Sequence, residues 1–351
     1  MNKQTGISRR RVLASAGTAA AGLFLGTGAT APVAATTATA STTRKTDDLA
    51  QLVRRTSFVD THEPLVEEDR RTQWSKPDGR LPCHDWALLF SHYLNSDLQV
   101  AGLSAKDQKE FLAPTTPSER KWALVEPHWP AVKNTGYGQV VRIAARQLYG
   151  VDDLNARTVP RFAEGYQRLV KPGFYAAVLH RHAGVESCQV NSLDAPFSES
   201  RQPLLLMQDI SILSFGSTGG DPWNRITDAA GQKATDLAGW HRMNDAVIDL
   251  CWAWIISPTA SERFVRDFLV TAPANKLLTF GGDYIPVECV VGHAALARRG
   301  LTRALQGLVA DGWLSRADAL DLVEPLMRGN ARRIFQLEEK ERVLRTAPWA
   351  T

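Results

Sequence analysis

Two short stretches hold side chains that can do chemistry. In Phe58–Glu63 (FVDTHE) an aspartate and a histidine stand two residues apart. In Lys276–Pro286 (KLLTFGGDYIP) a short apolar run breaks on two glycines and then delivers Asp283 and Tyr284. Both read as buried strands, being too short for helices and bounded by turn residues. Side chains alternate along a strand, so Asp60, His62 and position 64 are expected on one face. A D-x-H-x-H pattern would set two imidazoles side by side, as a divalent metal requires, but Pro64 stands at the second histidine position and has no ligand atom. Gly281 and Gly282 allow a sharp turn and a close ligand approach, which leaves Asp283 at the C-terminal end of its strand, where α/β sheets keep their chemistry. The competing role for Asp283 is to cap the next helix.

These two strands need a scaffold. Five strands are expected, at 57–60, 185–191, 204–213, 246–256 and 277–281, with helices between and after them. Cys83–Leu94 reads as an amphipathic helix with Trp86, Leu89, Phe90 and Tyr93 on its apolar side. Residues 67–80 read as a charged loop, and His180 and His182 as cations suited to a helix C-terminus. Asp209, near the end of its strand, His241, Trp254 and Tyr284 are the lesser substrate-binding candidates. Glu288 and His293 follow the Asp283 strand and are expected on helix surface. Ser315 with Asp318 forms a capping box.

The chain has 351 residues, 22% of them charged and 44% hydrophobic, with a net charge of +4. That suits a globular protein with a large core. No basic stripe with interleaved aromatics points to nucleic acid. Cys83, Cys188, Cys251 and Cys289 form no C-x-x-C pair, so a structural zinc framework is excluded and buried thiols are expected. Residues 1–40 read as an export signal: the basic SRRRVL, an apolar stretch from Val12 to Leu25 and an Ala/Thr tract. The arginine pair resembles a twin-arginine signal, which implies the Tat export machinery as a partner and a periplasmic or extracellular destination. No membrane span is expected after its removal.

FVDTHE, LLTFGGDYIPVE (Leu277–Glu288), DLCWAWIISP (Asp249–Pro258) and GNARRIF (Gly329–Phe335) together resemble the amidohydrolase superfamily, in its glucuronate-isomerase-like branch. The resemblance runs from about residue 50 to 340. It implies an α/β fold, a TIM-type (β/α)8 barrel over 41–351, with a helical insertion at about 83–182 and a helical C-terminal part at about 287–340. It also implies a divalent metal (zinc, manganese or iron) and a small-molecule substrate. Carried over, His62 is the first-strand metal ligand, with Asp60 beside it. Asp283 becomes both a metal ligand and the base that takes a proton from metal-bound water.

Two departures change that expectation. Pro64 removes one ligand. The stretch from Asp209 to Asp245 is too short for two or three βαβ units of roughly 30 residues each, so the barrel is expected to be incomplete, as if by internal deletion. An open barrel exposes two strand edges, which self-association into a homo-oligomer or covering helices would protect. The expected function is an exported metal-dependent hydrolase, isomerase or lyase with a degraded metal site; the alternative is an inactive binding or structural relative.

Overall fold

The computed structural model describes residues 48–191, 197–200, 204–208 and 247–350. The signal at 1–40, Asp209 and His241 lie outside them.

Among the described residues five strands form, all in parallel pairs. Strands β1 (Phe58–Glu63), β2 (Val185–Val190) and β3 (Leu205–Gln208) make one sheet in that order; β4 (Ile248–Cys251) and β5 (Leu277–Gly281) make a second. The sheets adjoin along β1 and β5. Thr61 Oγ1 donates to the Phe280 carbonyl at 3.0 Å, and the Asp283 N–H donates to the His62 carbonyl at 3.0 Å. The last strand thus lies beside the first, as in a rolled parallel sheet. Among the described residues the result is two small sheets rather than a closed barrel, with β3 and β4 outermost.

The helices pack on the face carrying Phe58, Leu277 and Phe280. The helix Glu288–Ala310 runs continuously through Gly300. It lies very close to its neighbours: a Cβ at Gly292 would fall 2.3 Å from the Val140 carbonyl oxygen, and one at Gly300 would fall 2.1 Å from the Trp254 ring. Only glycine permits this spacing. The opposite face, carrying Val59, Leu205, Met207 and Leu278, packs with Leu337 and Leu344 of the C-terminal helix Leu337–Thr346. The C-terminal helix therefore shields this face from water.

Several local expectations are corrected. The run 246–256 is a strand only over Ile248–Cys251. Trp252 then takes a left-handed φ of 65°, and Ala253–Ile256 is helical. This turn buries Trp254, whose indole donates to the Thr279 carbonyl at 2.8 Å. A short apolar run does not distinguish strand from helix. Cys83–Leu94 is likewise broken, with helices at Leu88–Ser91 and Leu94–Val100, so Tyr93 leaves the apolar stripe. Within 67–80, Glu68–Thr72 is helical, and its Arg71 forms a fully buried ion pair with Glu288 at 2.6 Å. Glu288 is thus core, as is His293, because Arg71 neutralises the first and the Gly282 carbonyl meets the second at 3.0 Å. The capping box at Ser315 and Asp318 forms as expected.

Candidate functional site

The site lies where the C-terminal ends of β1 and β5 meet. A bulge in β1 sets its layout. Asp60 pairs with Cys188 and Glu63 with Val190, so β1 spends three steps where β2 spends two. The extra residue reverses the alternation. Asp60 and Glu63 both turn inward and are fully buried, while His62 is left partly exposed at the mouth.

The buried acids hold the loop after β5. Asp60 Oδ1 accepts from the N–H groups of Gly282 at 2.9 Å and His62 at 3.1 Å, and Glu63 Oε2 accepts from the Tyr284 N–H at 3.1 Å. Their other oxygens crowd the space beside Gly282, where a Cβ would fall 1.6 Å from Glu63 Oε1 and 2.7 Å from Asp60 Oδ2. Neither oxygen has a further donor among the described residues. A proton between the two carboxyls is the arrangement that keeps both buried. Burial raises Asp60 to about 7, despite hydrogen bonds from Glu63, Gly282 and His62. Burial and the neighbouring Asp60 push Glu63 well above the usual carboxylate range.

Asp283 is in the opposite state. It sits at φ 53°, a left-handed conformation that aspartate tolerates better than most residues. The next helix begins at Glu288 with Val287 before it, so Asp283 is not its cap. Its Oδ2 accepts from the Tyr93 hydroxyl at 2.5 Å, and its Oδ1 lies 3.4 Å from His62 Nε2. Burial would raise this carboxyl, but the hydrogen bonds from His62 and Tyr93 and the charges of His62 and His92 outweigh it and hold Asp283 below its ordinary value. Tyr93 in turn is raised by burial and by Asp283, so it stays a donor.

Aromatic rings line this end. Tyr93 stacks on Tyr137 (centroids 5.2 Å, 13°), on Trp252 (5.3 Å, 21°) and on His92 (4.1 Å, 18°). Trp252 remains 37% exposed, which makes it the ring a ligand can reach. Tyr284, one of the expected substrate contacts, is buried edge-on against Tyr93 at 5.2 Å. Trp254, another, lies in the core away from the mouth.

The expected residues therefore divide. His62 and Asp283 come together; Asp60 turns from them toward Glu63. Sequence reading missed Glu63, because alternation placed it on the other face, and Tyr93, because it was counted with an apolar stripe. Its hydroxyl, beside His92 in SHYL, was the available signal. As for a metal, Asp60 Oδ1 is taken by two backbone N–H groups and Oδ2 faces Glu63, and among the described residues no group of three or more His, Cys, Asp or Glu side chains can hold an ion. His62 and Asp283 alone fall short of the three or four protein ligands that a divalent metal takes.

No family model matches the chain, and no curated protein matches it. Among solved structures it is similar to the crystal structure of glucuronate isomerase from Caulobacter crescentus, with a TM-score of 0.56 and 12% identity over 90% of this chain and 97% of that one. At that identity the likeness is one of fold.

Proposed function

We propose that the protein is an exported, amidohydrolase-type enzyme that moves a proton on a small polar substrate, in a hydrolysis or an isomerisation, at the mouth formed by His62, Asp283 and Trp252. The observation that carries this reading is the ionised Asp283 held between the Tyr93 hydroxyl and the His62 imidazole at a strand end. A carboxylate kept below its ordinary pKa is a weak base, but it orients an imidazole and stabilises its charged form. His62 is then the acid-base group, Asp283 its positioning partner, and Tyr93 the clamp on Asp283. The 3.4 Å separation is long, as is common before a substrate tightens a site. Trp252 offers an exposed flat face to a sugar-like ring.

A divalent ion is the group this superfamily resemblance implies. It would draw on His62 and Asp283, which are too few by themselves. The fold neighbour is a glucuronate isomerase, and a sugar acid is accordingly the first substrate to try.

The test is proton exchange and turnover of glucuronate and a panel of small lactones, esters and aldoses by the full chain in deuterated buffer, followed by NMR. The reading expects turnover or solvent-deuterium incorporation, reduced about a hundredfold or more in His62→Ala and less in Asp283→Asn. A second reading, a binding protein without turnover, is favoured by the short ligand set. Saturable binding with no exchange in any substrate would establish it against the first.

A further inference from the structure

A cleft of about 510 Å3 opens at the other end of β1 and β2, and among the described residues no acidic one lines it, whereas Arg54, Arg181, His182, Arg298, Arg299 and Arg303 do. Arg54 comes from the helix over 48–55, Arg181 and His182 from the end of the helical turn Ala176–His182, and the other three from Glu288–Ala310. From Phe58 to His62 the strand rise puts this cleft about 13 Å from the mouth.

Arg298 forms the built part. Its guanidinium donates to the carbonyls of Ala183 at 2.7 Å, Gly184 at 3.1 Å and Thr56 at 3.2 Å, and stacks over the Phe58 ring at 4.5 Å. Gly184 makes room: its φ is 66°, and a Cβ there would fall 2.6 Å from Arg298 Nη2. Arg298 Nε is buried without an acceptor among the described residues. Burial lowers this arginine to about 10, with no carboxylate offsetting it.

Two helix C-termini explain why cations gather here. They do not explain why so few acids come with them. Elsewhere on this surface arginines take carboxylate partners: Arg70 with Asp78, Arg120 with Glu110, Arg342 with Glu339. In the cleft only Arg303 does, with Glu262 at 3.1 Å. Arg54, Arg181 and Arg299 are exposed and have no carboxylate partner among the described residues. Val53 and Val291 add an apolar wall. A volume of this size is that of a small-molecule site rather than a flat macromolecular contact.

We propose that this cleft binds a small organic phosphate, with Arg54, Arg181 and Arg299 gripping the phosphate oxygens and the Val53–Val291 wall facing the carbon body. A doubly charged phosphate monoester suits several convergent guanidinium groups better than a singly charged carboxylate, and arginine matches its oxygens in pairs. The site is independent of the mouth.

Calorimetric titration of the full chain with glycerol 3-phosphate tests it, with acetate as the singly charged comparison. The proposal expects one saturable site for glycerol 3-phosphate and none for acetate, competed by inorganic phosphate. Affinity should drop at least tenfold in the Arg181→Gln/Arg299→Gln double variant, and stay unchanged in Asp283→Asn. Both arginines are exposed, so the double variant should melt as the parent does; the single Arg54→Gln variant gives the same readout if it does not. Absence of saturable binding, or equal binding in all variants, would overturn the proposal. So would sedimentation with phosphatidic-acid vesicles without binding of glycerol 3-phosphate, which would make the cleft a membrane contact.

Discussion

The two ends of β1 treat charge in opposite ways. At the C-terminal end, Asp60 and Glu63 are fully buried and Asp283 partly so, and each is answered from within: Asp60 and Glu63 by backbone N–H groups and by one another, Asp283 by Tyr93 and His62. At the N-terminal end, arginines line an open cleft and three of them have no carboxylate partner among the described residues. Deep charge has to be neutralised where it stands, because desolvation is costly. Charge in an open cleft keeps its water and can await a ligand. Stability should therefore respond to changes at the mouth and hardly at all to changes in the cleft.

Gly282→Ala is the harshest way to break that contrast. The new Cβ would collide with Glu63 Oε1 and Asp60 Oδ2, neither of which can move without abandoning an N–H group. A loss of about 3 kcal/mol or more is expected, read by urea unfolding; a neutral result would mean that the carboxyl pair is not packed there.

The pair itself should give a pH signature. Asp60 and Glu63 hold their protons in the folded state well above the range where they lose them when unfolded. Between about pH 4 and about pH 7 the folded chain thus binds more protons, and stability falls as pH rises through that window. Glu63→Gln leaves Asp60 an uncharged neighbour and should flatten the decline, by on the order of a few kcal/mol at pH 8. Denaturation midpoints from pH 5 to 8 would show it, and parallel curves for parent and variant would contradict it.

Tyr93→Phe should cost about 2 kcal/mol, since it removes a donor to an ionised carboxylate. Asp283 has a lowered pKa, so its contribution is present above the unfolded value and is lost as pH falls through the folded one. Without Tyr93 that acid limb should move to higher pH. An unmoved limb would leave His62 as the only group holding Asp283 ionised. Smallest of all, Arg181→Gln should change stability by less than about 0.5 kcal/mol; a larger loss would show that the cleft is a structural knot.

Much of this fold was legible. The approximate positions of the five strands and the capping box of Ser315 with Asp318 follow from local patterns. What was not legible came from non-local causes. A bulge depends on the partner strand, so alternation in β1 could not reveal that Glu63 would join Asp60. Arg71 looked like loop charge because its partner, Glu288, lies 217 residues away. AWII read as strand because four apolar residues fit either geometry, and Trp254 finds its acceptor only in the folded chain. His62 and Asp283 were singled out by residue type and position, and the fold brings them within 3.4 Å; Tyr93 was hidden by its apolar neighbours.

Metal content decides most directly whether His62 and Asp283 form a proton-transfer pair or part of a metal centre. The measurement is elemental analysis of the full chain purified without chelators, beside Asp283→Asn. The account predicts far less than one zinc, manganese or iron per chain in both, with Asp283 bound to its own neighbours. Near-stoichiometric metal that disappears in Asp283→Asn would contradict it and restore the metal-dependent reading.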